Sequence, residues 1–180
     1  QLYHVRYKIE GTQEYVTIAT TRPETIMGDS AIAVHPDDPR YTHLKGKRAI
    51  VPMIGRSVPI IFDDYVDIEF GTGALKVTPA HDINDYELGK KHDLETIDVL
   101  NDDGTLSEAA QIFIGRDREE VRIDIKIKLK EENALVEIEN YNHSVGRSER
   151  TQAIVEPKLS LQWYVDMKSL AKPALDAVMT

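Results

Sequence analysis

Two short segments, about fifty residues apart, hold the side chains best suited to chemistry. The first is Thr20-Thr21-Arg22-Pro23-Glu24-Thr25, and the second runs from Gly71 to Tyr86. In the first, two threonine hydroxyls sit at the end of an apolar run. Arg22 supplies planar donors that suit phosphate or carboxylate. Pro23 keeps Arg22 out of a helix, so the strand ends there. Glu24 and Thr25 then begin a helical turn, whose free N–H groups form a site for a polar or anionic ligand. Alone, these residues describe a helix cap after a strand equally well.

In the second segment, Gly71 and Gly73 permit close backbone approach to a ligand. Lys76 and Thr78 are two apart on a strand and project to one face. Pro79 ends that strand. Asp82 and Asp85 are three apart on a helix and share a face. Lys76, Thr78, Asp82 and Asp85 therefore converge, and a carboxylate facing a pocket matches a ligand that carries an ammonium group. The plainer alternative is a surface ion pair between Lys76 and one aspartate, which contributes little. Together the segments describe a polar pocket at strand ends, made for a charged ligand with hydroxyls.

Other chemistries find less support. His81 and Asp85 have the i, i+4 spacing of a metal pair, but no third ligand is in view and His92 is too far along the helix. No metal or cofactor is expected. His4, His35, His43 and His143 have no partner visible in the sequence. There is no Gly-x-Ser-x-Gly elbow, no Walker loop and no Gly-x-Gly-x-x-Gly. The chain has no cysteine, which excludes disulfide scaffolds, thiol catalysis and zinc-thiolate sites.

The elements that must position these segments are short. Leu2 to Ile9 alternates apolar and polar residues, Gly11-Thr12 breaks it, and Tyr15 to Ala19 follows, which predicts a hairpin. Ala31 to Val34, Arg48 to Met53, Val58 to Phe62 and Gly73 to Val77 read as further strands. Pro36, Pro39, Pro52, Pro59 and Pro79 are expected at their edges, where a missing N–H does least harm. Many short strands at this spacing point to a barrel or sandwich. A helix opens near Asp82, a good N-cap, and reaches about His92. Asn101-Asp102-Asp103-Gly104 is a turn. Arg116 to Glu132 is internally divided. Val121, Ile123, Ile125, Ile127 and Leu129 alternate as in a strand, while the charged flanks and the 121/125/129 stripe describe a helix.

The 180 residues, 41% of them hydrophobic, suit one globular domain. No apolar run approaches the roughly 20 residues of a membrane span, and no signal peptide is visible. A cytoplasmic setting is compatible. The formal charge is 22 − 31 = −9, so the chain lacks the overall basic character of an autonomous nucleic-acid binder. Any nucleic-acid contact should be local, with other domains holding the phosphates. The chain begins at Gln1 and stops inside a helix expected from about Ser169, which suggests a domain cut from a longer protein.

Ala19 to Thr25 with Gly28-Asp29, followed by Ala33-Val34-His35-Pro36, resembles the editing domain inserted in class I aminoacyl-tRNA synthetases. Gly71-Thr72-Gly73-Ala74, Lys76-Val77-Thr78-Pro79-Ala80-His81-Asp82 and Asn84-Asp85-Tyr86 resemble its valyl-type version. The isoleucyl type usually has histidine at the Lys76 position and Gly-His-Gly near His81. Ile154-Val155-Glu156-Pro157 and Ser160-Leu161-Gln162-Trp163-Tyr164-Val165 resemble the return into a catalytic domain.

The resemblance implies an α/β fold, a β-barrel-like core of short, mostly antiparallel strands surrounded by helices, with Arg116 to Glu132 helical. It implies an editing domain over residues 1–150 and a returning segment over 151–180. The implied activity is hydrolysis of the ester of mischarged threonyl-tRNA(Val). The partners would be the tRNA 3′ CCA end carrying threonine and the rest of the parent synthetase. Asp85 would hold the aminoacyl ammonium, and Lys76, Thr78 and Asp82 would read the threonine hydroxyl. Thr20, Thr21, Arg22 and Thr25 would hold the ester and the terminal adenosine, with Phe70 packing on that nucleotide. The competing readings are an isoleucyl-type domain that clears valine, a non-catalytic module docking the tRNA end, and an unrelated β-rich metal-binding domain.

Overall fold

The computed structural model describes residues 1–142, 144–160 and 162–179. His143 and Leu161, and Thr180 in the helix expected from about Ser169, lie outside the described residues. The strands are β1 (Leu2–Ile9), β2 (Tyr15–Thr20), β3 (Ala31–Val34), β4 (Arg48–Ile50), β5 (Ser57–Phe62), β6 (Ala74–Val77) and β7 (Leu135–Glu139). The α-helices are α1 (Ile83–Lys91), α2 (Arg118–Glu131) and α3 (Met167–Met179), and a 3-10 helix spans Pro23–Gly28.

The strands form one path in the order β2-β1-β4-β5-β3-β6, with β7 added on β1. All pairs are antiparallel except β3 with β5. The two ends of the path, β2 and β6, come alongside one another, so the sheet is nearly closed into a barrel. Two strands turn the corners by changing partner along their length. β1 pairs β7 over Leu2 to Val5 and β4 at Lys8 and Ile9. β5 pairs β4 over Ser57 to Pro59 and β3 from Ile60. Pro59 thus lies inside a strand rather than at its end, at the hand-over where a missing N–H is tolerated.

The alternation of β1 is the origin of the core. Tyr3, Val5, Tyr7 and Ile9 are buried, and they join Ile18, Ile26, Ile32 and Val34 in one cluster. Each such side chain contributes roughly 1.5–3 kcal/mol on burial. The conflict over Arg116 to Glu132 resolves as helix α2. Asp117 caps it by accepting from the Glu119 N–H. Val121, Ile125 and Leu129 are fully buried, whereas Ile123 and Ile127 are 64% and 59% exposed. The strand-like alternation was half a helical stripe and half solvent-facing isoleucine. β4 stops three residues short of the expected Met53. Val51 N–H donates to the Arg56 carbonyl and Met53 takes a left-handed φ of 71°, so the chain is already turning into β5.

Among the described residues, no helix is long and apolar enough to cross a membrane. Helix α3 has no buried residue.

Candidate functional site

A cavity of about 350 Å3 opens where the ends of β2 and β6 meet the start of α1. Thr20, Thr21, Arg22, Thr25, Phe70, Lys76, Thr78, Asp82 and Asp85 all line it, so the structure brings the two segments of the sequence to one place. Tyr65, Asn84, His81 and Tyr141 complete much of the wall. Pairing of β3 with β6 sets this geometry, because it places the residues just before Ala31 beside those just after Val77.

Lys76 is not the surface lysine of the plainer reading. It is 7% exposed, and its Nζ donates to Asp29 Oδ1 at 3.1 Å, to Thr25 Oγ1 at 3.0 Å and to Thr78 Oγ1. Its ion-pair partner is Asp29, not Asp82 or Asp85. Asp29 is fully buried. Its Oδ1 also accepts from the Thr78 hydroxyl at 2.6 Å, and its Oδ2 accepts from the Tyr7 hydroxyl at 2.5 Å. Burial pushes the Asp29 carboxyl up, against the opposing pull of the Lys76 ammonium and the hydrogen bonds from Thr78 and Tyr7. Burial likewise raises Tyr7, with Asp29 adding to it. The sequence reading assigned Asp29 no role. A signal existed: a lysine on a buried strand needs a carboxylate, and Asp29 lies just before the strand that pairs with β6.

Asp85 joins this arrangement through the backbone of Thr78. It is 6% exposed, and one oxygen accepts from the Thr78 backbone N–H at 2.8 Å. Burial pushes its carboxyl up to about 6, with Asp82 and Asp29 adding to the rise and Lys76 and the Thr78 N–H opposing it. Asp82 is exposed and caps α1, its Oδ1 accepting from the N–H groups of Asn84 and Asp85. The two aspartates thus differ in job: one fixes the helix start, the other is a buried carboxylate with a raised pKa in a cavity. A buried carboxylate with a raised pKa that lines a cavity is a candidate functional group.

The first segment is more tightly held than its sequence suggested. Arg22 donates to the His81 carbonyl at 2.6 Å and pairs with Glu156, and its Nε lies 3.5 Å from Glu24. Glu24 is fully buried and takes a two-pronged contact from Arg122 at 2.9 and 2.6 Å. Glu156 also accepts from Arg118 at 3.2 Å. An alternating ladder results: Arg122, Glu24, Arg22, Glu156, Arg118. It ties α2, the 3-10 helix and the C-terminal stretch to the rim of the cavity. The first turn of the 3-10 helix is buried with its own acid, Glu24, and Thr25 N–H donates to the Arg22 carbonyl. Thr20 Oγ1 accepts from the Arg22 N–H.

Gly71 and Gly73 have φ of 57° and 70° and make the turn that enters β6. Gly73 packs against Arg40 and Asp38, and Gly71 lines a neighbouring cavity with Tyr65 and Phe70. Their conformation serves that turn. Phe70 itself is 62% exposed. His81 is buried, and burial pushes its imidazole down to about 4. Its Nε2 accepts from the Val99 N–H at 3.0 Å, so that lone pair is taken. Among the described residues, no group of three His, Asp or Glu side chains is arranged to hold a metal ion.

Residues 43–142 match the family model described as leucyl-tRNA synthetase, editing domain. The chain is 57% identical over 99% of its length to a valine--tRNA ligase of Bacteroides fragilis, and 52% identical over 98% to one of Clostridium tetani. It spans about a fifth of each: 20% of both relatives. Among solved structures it is similar to GlLeuRS-CP1, with a TM-score of 0.63 at 10% identity over 81% of this chain and all of that one. It is also similar to part of the LeuRS of Agrobacterium radiobacter K84, solved as a LeuRS-tRNA-LeuAMS complex. There the TM-score is 0.59 at 21% identity over 72% of this chain and 19% of that one. These structural likenesses bear on the fold.

Proposed function

Since the chain belongs to the family of the leucyl-tRNA synthetase editing domain, we propose that it hydrolyses the ester of threonyl-tRNA(Val) within a valine--tRNA ligase. The full-length relatives named valine--tRNA ligase support the choice of parent enzyme. Threonine is nearly isosteric with valine, and an apolar synthetic pocket that accepts valine rejects it poorly. The valyl enzyme, at about a hundredfold, is the standard illustration of that limit. A second site that demands the hydroxyl removes the error.

The observation that carries this reading is Asp85. A carboxylate buried in a polar cavity, held by a backbone N–H and, among the described residues, in no ion pair, suits the ammonium of an aminoacyl ester. Lys76, Thr78 and Asp82 form the wall that reads the side chain. Thr20, Thr21 and Thr25 line the approach for the ester and the terminal adenosine, and exposed Phe70 offers a ring for the base. Arg22 holds the rim through His81 and Glu156. Water attacks the carbonyl carbon, the C–O bond to the ribose breaks, and free threonine and a ribose hydroxyl result. An ester is already activated, so positioning and hydrogen bonding to the developing oxyanion supply the catalysis. The Thr20 hydroxyl accepts from a backbone N–H and keeps its proton for such a bond.

Residues 1–150 act as the editing unit and 151–180 lead back toward the catalytic domain, in a cytoplasmic enzyme whose other domains grip the acidic tRNA body. The test is deacylation of threonyl-tRNA(Val) by the parent synthetase, unmodified and as Asp85→Ala. Removing a buried charge that pairs with a ligand charge should slow deacylation on the order of 100-fold or more. Unchanged deacylation in the variant overturns the assignment.

A further inference from the structure

We infer that Asp29, beneath the cavity wall, is a positioning residue that fixes how the substrate's hydroxyl is recognised: as a hydrogen-bond donor. The inference rests on the editing reading above. It follows from where each proton of the wall goes. Lys76 has three N–H bonds, and all three are engaged by Thr25, Asp29 and Thr78. Thr78 gives its one hydroxyl proton to Asp29 Oδ1. Thr25 gives its proton to the Arg22 carbonyl at 3.0 Å. Asp29 is closed from below by the Tyr7 hydroxyl, so its carboxylate cannot turn away from Lys76 and Thr78 without losing a partner.

The donors of Lys76, Thr78 and Thr25 are therefore taken inside the protein. What Thr78, Asp82 and Asp85 leave for the substrate side chain is acceptors: a lone pair on Thr78 Oγ1, and the carboxylate oxygens Asp82 Oδ2 and Asp85 Oδ1 that take no backbone N–H. A hydroxyl that donates fits such a wall. A methyl group leaves those acceptors dry and unpaired, and so does a group of hydroxyl size that only accepts. Asp29 decides this polarity, because it is Asp29 that draws the Thr78 proton away from the cavity.

The experiment compares three esters of tRNA(Val) with the unmodified parent synthetase: threonyl, valyl, and the 3-fluoro analogue of threonine. In the last, fluorine replaces the hydroxyl and cannot donate. The threonyl ester should be cleaved about 100-fold faster than both others, since a site built to hydrogen-bond a substrate hydroxyl strongly rejects analogues lacking it. Cleavage of the fluoro ester within about tenfold of the threonyl ester overturns the donor assignment while leaving the editing proposal standing. Turnover of none of the esters overturns the editing proposal itself.

Asp29→Ala then tests the positioning role. It frees the Thr78 proton toward the cavity, and the threonyl-to-fluoro ratio should fall about tenfold or more. A ratio is the right readout because both substrates see the same folded fraction. An unchanged ratio in Asp29→Ala overturns the role of Asp29. If that variant does not fold, Thr78→Ser should keep the ratio and Thr78→Val should lose it. Retention of the ratio in Thr78→Val overturns the inference.

Discussion

Lys76 and Asp85 line the same cavity, carry opposite charges, and are almost equally buried, yet they are treated differently by the fold. Lys76 is neutralised by Asp29 and all of its donors have protein partners. Asp85 has one backbone N–H and, among the described residues, no ion pair, and its pKa is raised. A satisfied buried charge is part of the scaffold. A poorly compensated one is held at a cost to stability, and such a cost persists where a ligand supplies the missing partner.

Removing each charge should therefore hurt different things. Lys76→Met leaves Asp29 buried beside neutral groups, and breaking such a pair costs about 3–5 kcal/mol. The expected result is a large fall in thermal midpoint, read by calorimetry, with activity lost alongside. Asp85→Ala should lose deacylation with little loss of midpoint. If both variants unfold equally, the distinction between scaffold and ligand charge fails.

Next in size is the rim ladder. Glu24→Gln keeps the shape and one oxygen acceptor but removes the charge between Arg22 and Arg122. A loss of about 2–3 kcal/mol is expected, within the range for hydrogen bonds to charged groups. Urea unfolding checks it, and a loss no larger than that of an exposed pair would mean the ladder is ornamental to the fold.

A smaller effect comes from pH. The Asp85 pKa is raised in the fold, to about 6 from an ordinary value of 3.8, so the fold prefers the protonated form. Its contribution is fully present below about pH 4 and is lost as pH rises through about 6. At neutral pH the ionised group costs stability. Asp85→Asn should therefore raise the midpoint at pH 7.5 by several degrees, at about 2–4 °C per kcal/mol, and raise it little at pH 3.5. A variant less stable than the parent at both pH values contradicts the raised pKa. Deacylation, which needs the carboxylate, should decline as pH falls below about 6.

The smallest expected effect is that of a chelator. The Nε2 lone pair of His81 is occupied by the Val99 N–H, so EDTA should leave deacylation unchanged. Loss with EDTA and recovery with zinc would show that His81 has another role.

The sequence made some of this legible and hid the rest for physical reasons. Strand positions follow from alternation in β1 and from apolar runs between turns, because those patterns are local. The nearly closed barrel is legible as many short strands, but its order is not, since pairings such as β1 with β4 are set by long-range closure. In α2 the isoleucines at 123 and 127 face solvent and imitate a strand, and only the buried stripe at 121, 125 and 129 tells the difference. The residues lining the cavity could be picked out because they cluster in two segments. Tyr7, Arg122 and Glu156 could not, because each reaches the site from a different element and partners it only through the fold, and Asp29 was signalled only indirectly, by the need of a buried lysine for a carboxylate. Charges that complete one another across the sheet leave no spacing to read.

The most direct measurement is the rate at which the parent synthetase hydrolyses threonyl-tRNA(Val) relative to valyl-tRNA(Val), with enzyme in excess over each ester. The threonyl ester should be cleaved about 100-fold faster or more. Equal rates, or faster cleavage of the valyl ester, would contradict a site built to demand the hydroxyl.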